Sequence, residues 1–261
     1  MRTLAPIIGV ILGATILSGQ QAPTGYDDTP MQPNGRWHIH DGKRPQPKVV
    51  TPGPLVPAPA PPDATVLVGA GADRSAWQMM DGAAVTWAMS DGVLSTGKGM
   101  IRTKAEFTDY QLHVEFATPS VVKGNSQERG NSGVFLHDHY EVQVLDSYQS
   151  QTYPDGQAGA IYGQFPPLVN ASRAPGLWQI YDILFHGPRF DATAHLTRPV
   201  RMTVFLNGVL VQDDVELTGP TAHRQRPPYV AEPEKLPLSL QDHGNAVRYR
   251  NIWIRELPES R

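Results

Sequence analysis

The sequence contains no cysteine. That absence removes a disulfide framework, a thiol nucleophile and any cysteine-ligated zinc site. Charge is sparse as well: Asp, Glu, Lys and Arg make up 18% of the chain and sum to −3. No Lys/Arg run offers a footprint for phosphates, which argues against nucleic acid and in favour of a neutral partner. His-Glu-x-x-His, Walker, Rossmann and Gly-x-Ser-x-Gly signatures are all missing, so zinc-protease, nucleotide and serine-esterase readings have no support. Neither a sustained apolar stripe of helical period nor an internal repeat occurs. The one long apolar run, Ile7 to Leu17, is too short to span a bilayer comfortably. With Arg2 before it and Ser18-Gly19 or Gln21-Ala22 after it, residues 1–22 read as an export signal, a retained anchor being the alternative. The expected location is a periplasm or the cell exterior, with no membrane span once the signal is removed.

Proline, by contrast, is concentrated. Eleven of the 25 prolines fall between residues 22 and 62, ending in Pro-Ala-Pro-Ala-Pro-Pro at 57–62. Residues 23–62 therefore read as an extended Pro-rich lead-in. Within it, Gly35-Arg36-Trp37-His38-Ile39-His40-Asp41-Gly42 carries too many specific side chains for a plain linker, and we expect it to lie against the main domain.

Residues 63–261 carry the signals of an all-β domain. Thr65–Val68 reads as a short strand, and 85–89 with 92–95 as a hairpin turning at Ser90-Asp91-Gly92. In Tyr110–Phe116, Tyr110, Leu112, Val114 and Phe116 alternate inward while Gln111, His113 and Glu115 face outward. Residues 178–185 form another strand. Residues 201–206 and 209–212 flank Asn207-Gly208, a pair that favours the positive φ of a type I′ turn. Residues 247–257 supply a last long strand. Many short strands separated by turns point to a two-sheet antiparallel β-sandwich of jelly-roll type.

Chemistry gathers on residues 130–147, two strands meeting near Asp138. Tyr140, Val142 and Val144 take one face; Glu141 and Gln143 take the other. A small bulge would let Asp146 look into the same groove. Carboxylates on a sheet over a packed core suit general acid–base work once burial lifts a pKa toward neutrality; a solvated strand face is the plainer alternative. Asp242-His243 ends in a Gly turn, where the Asp either orients the imidazole or caps the turn. Lys104, Arg129 and Asn131 sit where strands end, suited to a sugar hydroxyl or a developing oxyanion. Tyr162, Trp178 and Tyr181 are candidates for stacking on sugar rings, and His186 is a further candidate contact. The pairs His137/His139 and His38/His40 are spaced to share a metal, although surface positions explain them equally well. No cofactor is evident, and the sequence leaves a divalent ion and the oligomeric state open.

Several stretches together resemble the 3-keto-disaccharide hydrolase domain family. They are Ile101-Arg102-Thr103-Lys104, Gly130-Asn131-Ser132-Gly133-Val134-Phe135-Leu136, residues 140–147, Gly159-Ala160-Ile161-Tyr162-Gly163-Gln164, residues 167–172, 178–183, 188–191 and 204–209, and Leu240-Gln241-Asp242-His243-Gly244. Trp37-His38-Ile39-His40-Asp41 is similar to the lead-in of exported members. The resemblance implies a concanavalin A-like jelly roll acting on glycosides whose C3 hydroxyl has been oxidised to a ketone. Cleavage would run by proton abstraction at C2, departure of the C1 substituent and hydration. It implies Glu141 as base or acid and His243, with Asp242, as the complementary proton carrier. Gln143, Lys104, Arg129, Asn131, Tyr162 and His186 would hold substrate. A glycan-binding module without catalysis is the alternative on the same fold. Gln143 stands where jelly-roll β-glucanases carry Asp on a Glu-x-Asp-x-x-Glu strand, which disfavours a carboxylate nucleophile.

Overall fold

The computed structural model describes residues 22–33 and 35–258; the export-signal reading of residues 1–22 lies almost wholly outside them. Two antiparallel sheets face each other. The larger has eight strands, running Val209–Glu216, Arg201–Leu206, Gln179–His186, Tyr110–Ala117, Arg248–Glu256, Val93–Ser95 and Ala88–Ser90. Thr65–Val68 joins the far half of the same edge of Arg248–Glu256. The smaller sheet runs Trp77–Met79, Ile101–Thr103, Ser239–Leu240, Ser132–Leu136 and Tyr140–Val144.

Turn chemistry sets the register. Asn207 and Gly208 adopt φ of 55° and 79°, and Asp91 and Gly92 adopt 52° and 72°. Both pairs occupy left-handed backbone that Asn, Asp and Gly tolerate best. Leu112, Val114 and Phe116 from the larger sheet meet Val134, Val142 and Val144 from the smaller, all with no exposed surface. Each such side chain contributes on the order of 1.5–3 kcal/mol of transfer free energy. The alternation fixes which residues face the core, and by default it sends Glu141 and Gln143 to the other side of their strand. Helical structure among the described residues is confined to short 3₁₀ turns such as Ser126–Glu128 and Pro154–Gly156, and no helix there is long and apolar enough to cross a membrane.

The Pro-rich segment is docked. Its Ala58 carbonyl accepts hydrogen bonds from Asn251 Nδ2 at 3.0 Å and Trp253 Nε1 at 3.2 Å, on the outer face of the larger sheet. His113 and Glu115 do point outward there, yet they are 0% and 1% exposed. His113 stacks on Trp253 with ring centroids 5.2 Å apart and places Nδ1 2.6 Å from Asp182 Oδ1. Burial opposes ionisation of Glu115, but hydrogen bonds from His113, Asn251 and Arg250 outweigh it and hold the carboxyl at about 2. Further upstream, Lys48–Val49 pairs in parallel with Val169–Asn170.

Candidate active site

Tyr140–Val144 is the edge strand of the smaller sheet, and its outward face floors a cavity of about 460 Å³. That volume lies within the range of roughly 300–1,000 Å³ common for small-ligand sites. Glu141, Gln143 and Asn131 form the floor, Gln127 and Tyr162 rise beside them, and His223 and His243 stand at the rim.

Glu141 is only 5% exposed. Its backbone is pinned, since its N–H donates to Thr221 Oγ1 at 3.0 Å and its carbonyl accepts from the Tyr162 N–H at 3.1 Å. The carboxyl itself has neither a hydrogen-bond donor nor a cation among the described residues, and burial alone pushes its pKa up to about 8. Gly133 makes room for it. A Cβ at position 133 would lie 2.4 Å from Glu141 Oε1 and 2.7 Å from Phe135 Cε2, so any larger residue there collides with the carboxyl.

Gln143 is held by a 2.8 Å bond from its Nε2 to Gln127 Oε1, and Asn131 by a 2.7 Å bond from Nδ2 to the Gln127 carbonyl. The Oε1 atoms of Gln143 and Gln241 are buried with no donor among the described residues. A floor offering an amide oxygen and a carboxyl without partners suits a ligand that brings hydroxyl donors.

The wall is aromatic and titratable. Tyr162 Oη lies 2.9 Å from Tyr153 Oη and 3.0 Å from His223 Nδ1. His223 is exposed as a residue, but its ring stacks on His40 at 5.3 Å and meets Tyr26 in a T-shaped contact at 5.6 Å. Desolvation first, then the neighbouring His40 and Arg224, lowers its pKa. Glu141 and His223 are therefore displaced in opposite directions, which keeps both neutral near pH 7.

Other expected site residues lie elsewhere. Asp242 accepts from the Gly244 and Gly99 N–H groups at 2.8 and 2.9 Å. It caps the turn and does not orient His243. Lys104 lines a separate surface cleft beside Arg74 and Trp77. Arg129 and Asp146 are bound to each other at 2.5 Å and line a neighbouring cavity of about 480 Å³; the chain after Val144 turns Asp146 away from Glu141. His186 pairs with Asp109 at 3.4 Å, in a cluster with Arg189 and Arg198.

Trp178 lies under Arg250 and Arg248, and Tyr181 is in the core with its hydroxyl on the Gln143 carbonyl at 2.6 Å. Neither lines the cavity, so Tyr162 is the one stacking candidate of the three that does. The His pairs do not converge on a metal either. His137 donates from Nε2 to the Phe107 carbonyl and places Nδ1 3.3 Å from Glu232, while His38 and His40 turn to Thr29 and Asp155. Among the described residues no cluster of three or more His, Asp or Glu side chains could hold a metal ion.

Sequence reasoning missed Tyr26, Gln127, Tyr153, Thr221 and His223. They come from the lead-in and from three loops with no periodic signal, and only the meeting of those loops at one edge strand reveals them.

Comparison with known proteins adds a family. The profile of the 3-keto-alpha-glucoside-1,2-lyase-like domain matches residues 63–255. A crystal structure from Parabacteroides distasonis ATCC 8503, of a protein inferred to be a glycosyl hydrolase, shares 41% identity. It covers 90% of this chain and 100% of its own, with a TM-score of 0.74. A second structure from that organism, of a protein inferred to have the same class of activity, is 19% identical over 75% of this chain and 94% of its own, at a TM-score of 0.55; it shows the jelly-roll fold alone. Among curated proteins, none matches.

Proposed function

From the premise that this chain belongs to the 3-keto-alpha-glucoside-1,2-lyase-like family, we propose that it is an exported enzyme cleaving glycosides with a ketone at C3. A carbohydrate-acting protein of the glycosyl-hydrolase-like class is what the family and its 41%-identical relative support directly. The cavity chemistry carries the finer reading.

A C3 ketone acidifies the C2 proton. A base removes that proton, and the electron pair moves onto the C3 oxygen as an enolate. The enolate then collapses to expel the C1 oxygen, which takes a proton and leaves as the free alcohol. The remaining 1,2-unsaturated ketone adds water across its double bond. This sequence needs an acid, a base and hydroxyl contacts, and no nucleophile at C1. Hence a Gln at position 143 is no defect.

The observation that carries the assignment is Glu141, a carboxyl buried in the cavity with no cation beside it among the described residues, where burial favours the protonated form near neutrality. In that state it can donate to the departing oxygen. His223, kept neutral on the same cavity, is the complementary base, because paired groups with pKa values pushed apart mark acid and base. His243 stands at the rim as a hydroxyl contact, and Gln143 and Asn131 orient the sugar. General acid or base catalysis of this kind contributes roughly 10²–10⁴-fold each.

The test is aglycone release from a chromogenic glucoside and from its 3-keto counterpart in heavy water. Release from the keto sugar alone, with deuterium at C2, is expected. Cleavage of the plain glucoside would return the protein to ordinary glycosidase chemistry. Binding without turnover of either would make it a glycan-binding module.

A further inference from the structure

The family profile begins at residue 63, yet part of the cavity wall comes from well before it. Ala22, Pro23 and Tyr26 line the cavity. The Ala22 N–H and carbonyl pair with the Asn125 side chain at 3.0 and 2.8 Å, and the Pro23 carbonyl accepts from Ser126 Oγ at 2.8 Å. Two passes of the lead-in touch at glycines: a Cβ on Gly25 would sit 2.1 Å from the Gly42 nitrogen, so the contact admits no side chain at Gly25.

His40 is the centre of this segment. It has no exposed surface and φ of 58°. Its backbone N–H donates to Asp155 Oδ2 at 2.9 Å, and its Nδ1 lies 3.2 Å from Asp155 Oδ1. Gln32 Nε2, also from the lead-in, donates to the Gly163 carbonyl at 2.7 Å. The imidazole packs on Tyr153, Tyr162 and His223, with centroids 4.2, 4.7 and 5.3 Å away. Its Nε2 is buried and has no hydrogen-bond partner among the described residues. A buried imidazole nitrogen without a partner is destabilising, and core packing alone gives no reason to retain it. The lead-in also grips the loop that bears His223. Arg224 lies over the Tyr26 ring at 4.5 Å and reaches Asp28 at 2.5 Å, and Arg226 Nη1 donates to the Met31 carbonyl at 3.2 Å.

We propose that the lead-in is part of the catalytic apparatus, and that His40, fixed by Asp155, is a positioning residue holding the Tyr153–Tyr162–His223 array against the cavity. The assignment rests on the cavity being the reaction site. Asp155 locks the imidazole, the imidazole locks two tyrosines, and Tyr162 presents its hydroxyl to His223. Residues 22–41 thus determine how the proton-handling wall of a domain that begins at residue 63 is set.

The experiment uses the full chain with His40→Gln and, as a milder second perturbation, Tyr26→Ala at a half-buried position. The first readout needs no substrate: the titration of the His223 imidazole followed by NMR, its resonance identified with His223→Asn. The groups facing that ring are Tyr26, His40, Tyr162 and Arg224, with His243 across the rim. Both variants are expected to move the midpoint of His223 up toward the ordinary histidine value, because each removes a ring packed against it. The second readout is kinetic, on the 3-keto glucoside. His40→Gln should lower kcat by on the order of tenfold or more with KM little changed, as misplacement of a catalytic group does. The double variant with His223→Asn should be no slower than His223→Asn alone, since residues acting through one another are non-additive. An unmoved His223 midpoint in folded His40→Gln and Tyr26→Ala, or losses that multiply in the double variant, would overturn the proposal. Should His40→Gln fail to fold, the Tyr26→Ala midpoint decides. Glu141→Gln runs alongside: full activity there refutes the reaction assigned to the cavity while leaving the NMR result to judge the lead-in.

Discussion

Replacing Glu141 by Gln should make the protein more stable and less active at once. Burial pushes the Glu141 carboxyl up to about 8 in the folded chain, from an ordinary 4.5. Between those values the native state keeps a proton that the unfolded chain releases. A carboxyl with a raised folded pKa leaves stability intact below about pH 4.5 and erodes it as pH rises through the folded pKa. At pH 7 the native carboxyl is mostly protonated and the unfolded one almost fully ionised, a difference of about 3 kcal/mol against folding. The same reasoning gives under 1 kcal/mol at pH 5 and nearly 5 kcal/mol above pH 8. Gln mimics the neutral carboxyl, so Glu141→Gln should recover much of that difference. Urea unfolding of both proteins at pH 5, 7 and 8.5 measures it as a stabilisation that grows with pH, while turnover of the 3-keto glucoside falls by about 10² or more. A stabilisation flat in pH, or none, would mean that the carboxyl is solvated or paired and would remove the physical basis for its role.

Gly133→Ala brings a Cβ to 2.4 Å from Glu141 Oε1; it should cost about 1–3 kcal/mol and most of the activity. Truncating the acid in Gly133→Ala/Glu141→Ala should restore stability in urea, and a loss unchanged by that truncation would locate the strain elsewhere. Arg129→Ala leaves Asp146, which is 3% exposed, without its cation. Such a break costs roughly 3–5 kcal/mol, so melting should suffer far more than turnover by the surviving folded fraction. On the outer face, burial lowers the pKa of His113, but hydrogen bonds and charge from Asp182 and Glu115 outweigh it and leave the value raised. Its stabilising contribution is present at low pH and fades as pH rises through that value. Proteolysis within residues 53–62 should accordingly speed up with pH, and His113→Gln should abolish that dependence.

Local pattern carried much of the fold. The alternation of Tyr140–Val144 and Tyr110–Phe116 assigns core and outer faces correctly, because strand periodicity is a property of the backbone itself. Asn207-Gly208 and Asp91-Gly92 mark hairpins for a similarly local reason. Glu141, Gln143, Asn131, Tyr162 and His243 do meet at one cavity. What pattern could not supply was which loop ends converge. Lys104, Arg129 and His186 also sit near strand ends, and each faces a different part of the surface. Asp242 beside His243 is compatible with either of two roles, and only the Gly99 and Gly244 N–H groups decide for the cap. Outward alternation was likewise right for His113 and Glu115, while their burial depends on a cover supplied by Ala58 and its neighbours.

The contacts made by the lead-in have a consequence for the order of folding. Ala22 reaches Asn125 across 103 residues, His40 reaches Asp155 across 115, and Arg224 reaches Asp28 across 196. Closing loops of that length is entropically costly until the surfaces they join already exist. The two sheets must therefore assemble before residues 22–41 have anything to dock on. In refolding, burial of Trp77 and Trp87 in the core should precede the downward shift of the His223 midpoint. During that interval the molecule would be native in its sheets and still without a finished cavity wall.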